Sequence, residues 1–368
     1  MRFMVSSELL PATFVALLLL SIGGCATMRP PATDVITAPD PGAPRAEARL
    51  NTEFELEGNT RLVGSPQLIF SRYQDTFSDI ARAYNLGFDE LRQANPEIDP
   101  WLPGADSVIY LPTQHIVPDA PPEGVVLNLA SLRLFYFHDS DDMERVLTHP
   151  IGIGRAGWET PVGSASIVSK ARNPAWYVPA SIRREHAEMG DPLPAVVPPG
   201  PDNPLGDFAM KLSLPGYLIH GTNQPFGVGM RVSHGCVRLY PENIDDLFER
   251  VSVGEAVQIV NQPVLVAWHA GQLYLEVHPP LEEDQRDLGD EARTLITQLM
   301  ATQGQPVASV DWELVEQVLA ARRGLPFPVS RFSLPPEAYL AAVTIVENIA
   351  PVTVPEPTVQ ISANPATE

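Results

Sequence analysis

His220-Gly221-Thr222-Asn223, a glycine-rich interval, and then Ser233-His234-Gly235-Cys236-Val237-Arg238 form the stretch on which the reading of this chain turns. A thiol close to imidazoles is the minimum equipment of a cysteine nucleophile. The imidazole eases thiolate formation and can later protonate a departing amine. Gly235 lets the backbone approach a reacting group without interference from a Cβ, and amides at such a turn can face a developing oxyanion. Arg238 suits a carboxylate, which a guanidinium can hold through two bonds. Residue types alone leave three readings open: a nucleophile, a small buried hydrophobe beside satisfied structural histidines, or two His and one Cys as zinc ligands.

The chain has 368 residues, enough for two or three small domains, and a formal net charge of −21. Lys170 and Lys211 are its only lysines. Binding a polyanion requires clustered cations, so nucleic acid is not an expected partner. At the N-terminus Arg2 precedes an apolar run, Ala12 to Ile22, that contains Leu17-Leu18-Leu19-Leu20. At about a dozen residues it is too short to span about 30 Å of hydrocarbon, and it reads as a secretory h-region. Ile22-Gly23-Gly24-Cys25 resembles the lipobox of bacterial lipoproteins. That resemblance implies a signal peptide over 1–25, lipidation of Cys25, and a periplasmic protein held to a membrane by its lipid. Ala26 in place of Asp implies the outer membrane rather than the inner. With Cys25 acylated, Cys236 is the one cysteine left and no intramolecular disulfide can form. A lone thiol in an oxidising compartment is a liability that a chemical task would explain.

Residues 26–65, rich in Pro, Ala and Thr, read as a flexible tether. Residues 66–113 read as a strand–helix–helix–strand unit. Its parts are Gln67 to Phe70, a capping box at Thr76-Phe77-Ser78-Asp79 with Ile80, Ala81 and Tyr84 at helical spacing, a break at Gly87, a second helix with Phe88 and Leu91 ending near Asn95-Pro96, and Val108 to Leu111. Beyond the proline-rich joint at 118–122 the texture is β, over Val125–Leu129, Leu132–Phe137, Gly163–Val168, Tyr217–His220, Ala256–Val260, Val264–Trp268 and Leu273–Val277. Asn243 to Arg250 reads as a short helix. Residues 189–206, dense in Pro and Gly, read as one long loop of the kind that often carries function. Helices are expected over Asp287–Met300, Trp312–Arg323 and Pro336–Asn348, and 351–368 reads as a disordered tail. The expected fold is mainly β: a catalytic β domain over 123–262, the small βααβ unit before it, and a C-terminal β-hairpin and helical region over 263–350.

Asp75-Thr76, Ile80-Ala81, Leu91, Asn95-Pro96, Pro103-Gly104, Ile109 and Leu111-Pro112 together resemble the LysM module, which implies binding to the glycan of peptidoglycan. The His, the glycine-rich interval and Ser-His-Gly-Cys-hydrophobic-Arg resemble the signature of the YkuD-type L,D-transpeptidases. Thr160-Pro161-Val162-Gly163, Asn173-Pro174-Ala175-Trp176, Leu193-Pro194 and Asp202-Asn203-Pro204-Leu205-Gly206 resemble further blocks of that family. The combination is similar to the enterobacterial-type group that attaches an outer-membrane lipoprotein to peptidoglycan. The resemblance implies a YkuD-type β-sandwich and a mechanism. Cys236 would attack the carbonyl of the L-centre of meso-diaminopimelate in a tetrapeptide stem and release D-Ala. His220 would be the base, oriented by a backbone carbonyl because Gly221 stands where relatives carry a polar residue. His234 would be auxiliary, since some relatives have Ser there. Amides around Gly235 and Cys236 would form the oxyanion hole. Arg238 would stabilise the nucleophile loop or bind the donor stem, and Ser233, Gly221 and Thr222 would contact that stem. An amine of a second stem or of a lipoprotein Lys would then resolve the thioester. No cofactor or metal is implied, because the cleaved peptide bond conserves the acyl energy. The alternatives on the same residues are hydrolysis of the linkage and an inactive cell-wall-binding lipoprotein.

Overall fold

Gly124-Val125-Val126-Leu127-Asn128 is buried at every position, the pattern of a strand covered on both faces. Val125 and Leu127 enter one core and Val126 another. This strand lies near the middle of a nine-stranded sheet in a computed structural model that describes residues 40–351, apart from 41, 43–44, 49, 57, 59 and 141–142. The expected signal peptide, the lipidation at Cys25 and the tail from 352 lie outside the described residues.

The sheet order is β1 (Glu53–Glu55), β8 (Met143–Pro150), β7 (Arg133–Ser140), β6 (Gly124–Asn128), β17 (Ala256–Val260), β10 (Gly163–Arg172), β13 (Phe208–Leu212), β14 (Leu218–His220) and β16 (Val237–Arg238). Neighbours are antiparallel except β6 with β17 and β14 with β16. β10 serves both halves. Gly163 to Ser166 pair with β17, while Ile167 to Arg172 pair with β13 across a register shift. Such a shift re-aims a strand, and here the sheet turns to enclose its main core. Helix α4 (Pro241–Arg250) closes that core with Ile244, Leu247 and Phe248.

Part of the stretch read as a tether is folded. β1 pairs with β8, and β2 (Leu62–Gly64) pairs with β5 (Gln114–Ile116). Phe54 and Leu56 pack against Phe135, Phe137 and Val146, burial that outweighs the polar residues around them. The βααβ order is as expected, with β3 (Gln67–Phe70), α1 (Phe77–Ala83), α2 (Phe88–Ala94) and β4 (Val108–Leu111), and β3 antiparallel to β4. Thr76 caps α1 by accepting from the Asp79 amide at 3.3 Å. Asn95 ends α2, its side chain bonding the Leu91 carbonyl and both backbone groups of Tyr110.

Residues 66–113 do not close a core of their own. Leu68, Phe70 and Ala94 share one with the C-terminal sheet of β18 (Val264–His269), β19 (Gln272–Val277) and β20 (Phe327–Pro328) and with α5 (Leu288–Thr302) and α6 (Trp312–Ala321). The last helix is shorter than expected. α7 (Pro336–Ala341) stops, and β21 (Thr344–Ile345) adds a parallel edge to β3. The run Thr344-Ile345-Val346 is β-branched, and Val346 and Ala350 fill the α1/α2 core. Asn348 donates to the Phe70 carbonyl at 3.1 Å and to buried Asp75 at 2.7 Å.

A buried ion pair joins this unit to the large sheet. Arg133 on β7 donates from Nε to Glu90 Oε1 at 3.0 Å and from Nη2 to Oε2 at 2.8 Å. Glu90 Oε2 also accepts from the Gly87 amide at 2.9 Å. Removing one partner of a buried pair strands the other charge, which costs about 3–5 kcal/mol. Glu90→Gln should therefore lower the urea midpoint of unfolding by that order of free energy. A change below about 1 kcal/mol would show that the junction is not structurally required.

Candidate active site

Parallel pairing of β14 and β16 sets Ile219 beside Val237 and His220 beside Arg238. Ile219 and Val237 are both in the main core. Strand alternation therefore turns His220, Arg238 and, one residue before the strand, Cys236 to the opposite face.

His220 is buried, and its Nδ1–H donates to the Gly221 carbonyl at 2.6 Å. That bond sets the tautomer and leaves Nε2 free to take a proton. Burial pushes the His220 pKa down to about 3; the positive charge of Arg238 adds to this, and the carbonyls of Gly221 and Leu205 oppose it. Cys236 is half-buried, with its thiol directed at the Gly216 carbonyl, 3.7 Å away. Burial raises the thiol pKa, against smaller opposing effects of the Leu218 backbone and Arg238. The resting pair is thus neutral thiol and neutral imidazole.

The loop that carries the thiol is held from both sides. Gly235 has φ +100°, and a Cβ there would sit 2.8 Å from Tyr217 Cε1. Thr160 Oγ1 donates to the Gly235 carbonyl at 2.9 Å and accepts from the Gly154 amide at 3.1 Å. Ser233 Oγ donates to the Cys236 carbonyl at 2.6 Å and accepts from the Gly235 amide at 3.2 Å.

Four expectations change on this geometry. Ser233 is buried and closes the loop on itself, so it is not a substrate contact. The Gly235 amide is occupied by Ser233, which leaves the Cys236 amide as the loop's available oxyanion donor. Thr222 is buried and accepts from the Gln224 amide at 2.9 Å, which builds a turn. Gly221 is buried against Ile244 of α4 and serves through its carbonyl on His220. The Arg238 guanidinium forms no hydrogen bond or ion pair among the described residues, and its Nε is buried and unpartnered. A cleft of about 120 Å³ is lined by Gly206, Asp207, Gly221, Thr222, Asn223 and Ile244, and neither His220 nor Cys236 lines it.

The 189–206 segment is more ordered than a loop. β12 (Val196–Val197) pairs with β11 (Trp176–Tyr177), and α3 (Ala180–Glu188) lies between them in the chain. Buried Asn203 pins the far end, donating to the carbonyls of Pro174 and Pro198 and accepting from the Leu205 amide. From α3, Glu185 reaches His234, whose Nε2–H donates to Oε2 at 2.8 Å. Arg155 pairs with the same carboxylate and lies 3.0 Å from that imidazole nitrogen. Of the two contacts to Nε2, the carboxylate is the bonding one, since a single N–H cannot also accept. Arg155 holds the Glu185 carboxyl below the usual carboxylate range, with His234 adding less. Burial lowers the His234 pKa against the opposing pull of Glu185. The two imidazoles are therefore engaged by different partners, and no group of His, Cys, Asp and Glu among the described residues is arranged to hold a metal ion. Thr160, Arg155 and Glu185 are site residues that the motif around Cys236 does not contain. Thr160 lies in one of the quoted blocks, whereas nothing local marks Arg155 or Glu185.

A thiol, a buried neutral imidazole and an unpaired guanidinium on one face of adjacent strands make the site of a cysteine acyltransferase. Residues 122–259 match the family model of the YkuD L,D-transpeptidase catalytic domain. The chain is 40% identical over 298 residues to the probable L,D-transpeptidase YcfS of Escherichia coli, covering 79% of this chain and 92% of that protein. It is 39% identical over 274 residues to the probable L,D-transpeptidase YbiS of the same species, covering 73% and 88%. Among solved structures, an L,D-transpeptidase of Mycobacterium tuberculosis matches with a TM-score of 0.28 and 18% identity, over 42% of this chain and 63% of that one. The chain belongs to the YkuD family of L,D-transpeptidases.

The neutral resting pair makes a kinetic prediction. Alkylation of Cys236 by iodoacetamide should rise steadily with pH from 6 into the alkaline range, because the thiol pKa is raised and His220 is already unprotonated. A reactive plateau with an apparent pKa below 7 would mean a preformed thiolate–imidazolium pair instead.

Proposed function

We propose that this L,D-transpeptidase acylates itself on peptidoglycan tetrapeptide stems through Cys236 and passes the stem to an amine. The observation that carries the reading is the common face of β14 and β16, which presents thiol, imidazole and guanidinium together. His220 Nε2 takes the thiol proton as sulfur adds to the stem carbonyl, and the Cys236 amide faces the oxyanion. The proton then passes to the departing amine of D-Ala. An acceptor amine attacks the thioester and regenerates the thiol. Arg238, whose guanidinium has no hydrogen bond or ion pair among the described residues, lies on this face and suits a stem carboxylate. The acceptor is an amine of a second stem or the Lys of an outer-membrane lipoprotein, a reading supported by the resemblance to the lipoprotein-anchoring group.

The lipobox-like Ile22-Gly23-Gly24-Cys25 supports a lipid-anchored periplasmic location at the outer membrane, and the LysM-like residues of the βααβ unit support binding to glycan. Mass spectrometry of muropeptides from cells with and without the gene tests the transfer. Loss of 3→3 dimers or of lipoprotein-linked stems in the deletion supports it, and accumulation of those links in the deletion would point to hydrolysis. On the purified protein a carbapenem should add one drug mass, and Cys236→Ala should abolish the adduct. His220→Ala should slow acylation by about a hundredfold or more, while His234→Ser should cost far less. An adduct retained on the Cys236→Ala protein, or the reverse order of the two histidines, would overturn the assignment.

A further inference from the structure

The turn between α1 and α2 is gripped by the catalytic domain at every residue. Asn85 donates to the Thr148 carbonyl at 3.1 Å, accepts from Asn243 at 2.6 Å, and its carbonyl accepts from Arg133 at 3.1 Å. The Leu86 carbonyl accepts from the buried Tyr240 hydroxyl at 3.0 Å. Gly87 meets Gly229 backbone to backbone. A Cβ on Gly229 would lie 2.2 Å from Gly87 Cα, and one on Gly87 would lie 2.7 Å from Gly229 Cα. The next two amides, of Phe88 and Asp89, donate to the Val228 and Gly229 carbonyls at 3.3 and 3.1 Å.

Val228 to Met230 is the segment that leads into the nucleophile loop. The Met230 carbonyl accepts from the Ile153 amide at 3.0 Å, and strand β15 (Arg231–Ser233) then pairs in parallel with β9 (Ile153–Gly154). Ser233 bonds the Cys236 carbonyl directly, and the Gly154 amide holds Thr160, whose hydroxyl bonds the Gly235 carbonyl. Each successive carbonyl from 228 to 230 is thus fixed, the first two by the βααβ unit and the third by the catalytic sheet.

We propose that Gly87 is a positioning residue for the reaction: the α1–α2 turn sets the Val228–Met230 segment and, through β15, the place of the Cys236 thiol. The βααβ unit is then part of the acylation machinery rather than a separable appendage. This rests on Cys236 being the nucleophile that a carbapenem acylates.

The decisive variant is Gly87→Ala. Gly87 has φ −86° and ψ 153°, a conformation any residue adopts, so the added methyl conflicts only with Gly229. Full-length wild type, Gly87→Ala and Arg82→Gln are compared by stopped-flow carbapenem acylation, resolving drug affinity from the first-order step. Arg82 bridges the same interface through an exposed pair with Glu242 and is the control. Gly87→Ala should slow the first-order step by about ten- to a hundredfold with drug affinity unchanged, since small misplacements of reacting groups cost that much. Arg82→Gln should match wild type. An unchanged first-order step in Gly87→Ala, or an equal loss in Arg82→Gln, overturns the proposal. If Gly87→Ala does not fold, Tyr240→Phe decides, removing only the hydroxyl from the Leu86 carbonyl. A slower first-order step supports positioning and an unchanged one overturns it. Absence of any adduct on wild type would instead overturn the nucleophile assignment itself.

Discussion

The contact on which the rest of the molecule depends is the buried pairing of Arg133 with Glu90. Arg133 meets Glu90, the Asn85 carbonyl and the Thr148 hydroxyl, and Glu90 also accepts from the Gly87 amide. A pair of this kind is not a strong net source of stability, because two charges must leave water. Its effect here is on register. Any slip of α2 along β7 would leave a full charge buried without a partner. The pair therefore fixes how the small helical unit sits on the large sheet, and it fixes Gly87 and Gly229 in contact a few ångströms away. His115, buried beside the same pair, is held neutral by burial and by the Arg133 charge, so it adds no second cation to the junction.

The C-terminal segment reinforces the same arrangement. β21 pairs with β3, Asn348 bonds Asp75, and Arg72 donates to the Ala350 carbonyl. The chain thus returns after the catalytic domain to finish the unit it began with. Two cores draw residues from both the βααβ unit and the C-terminal region, so each of these segments buries apolar surface against the other. The placement of β15 and the nucleophile loop rests on both.

How much of this was legible in the sequence follows from how local each interaction is. The strands, the helices of the βααβ unit and the Thr76 cap were readable because periodicity and capping are set by residues close in the chain. Cys236, His220 and Arg238 were readable because their spacing is a strand pairing written as a motif. Ser233, Thr222 and Gly221 share the motif but build its backbone, and residue type does not distinguish the two roles. A serine two residues from an open site looks the same as one whose hydroxyl is closed on the loop. The latch of Glu185 and Arg155 on His234 spans three distant segments and has no local signal. The same holds for β21, whose few β-branched residues become a strand only because β3 offers an edge.

The charge state of the site bears on how reactive the Cys236 thiol is at rest. Oxidation and adventitious alkylation attack the thiolate. Burial holds Cys236 as the thiol, and the one strong charge nearby acts on the pair in opposing ways. Arg238 favours the thiolate but disfavours the imidazolium that must form with it. Burial is the larger influence on both groups, so proton transfer from Cys236 to His220 is uphill in the resting site. A carboxylate on Arg238 would favour the imidazolium and disfavour the thiolate together, so masking that charge does not by itself release the proton. What draws the proton across is addition of sulfur to the stem carbonyl, with His220 taking it as the bond forms.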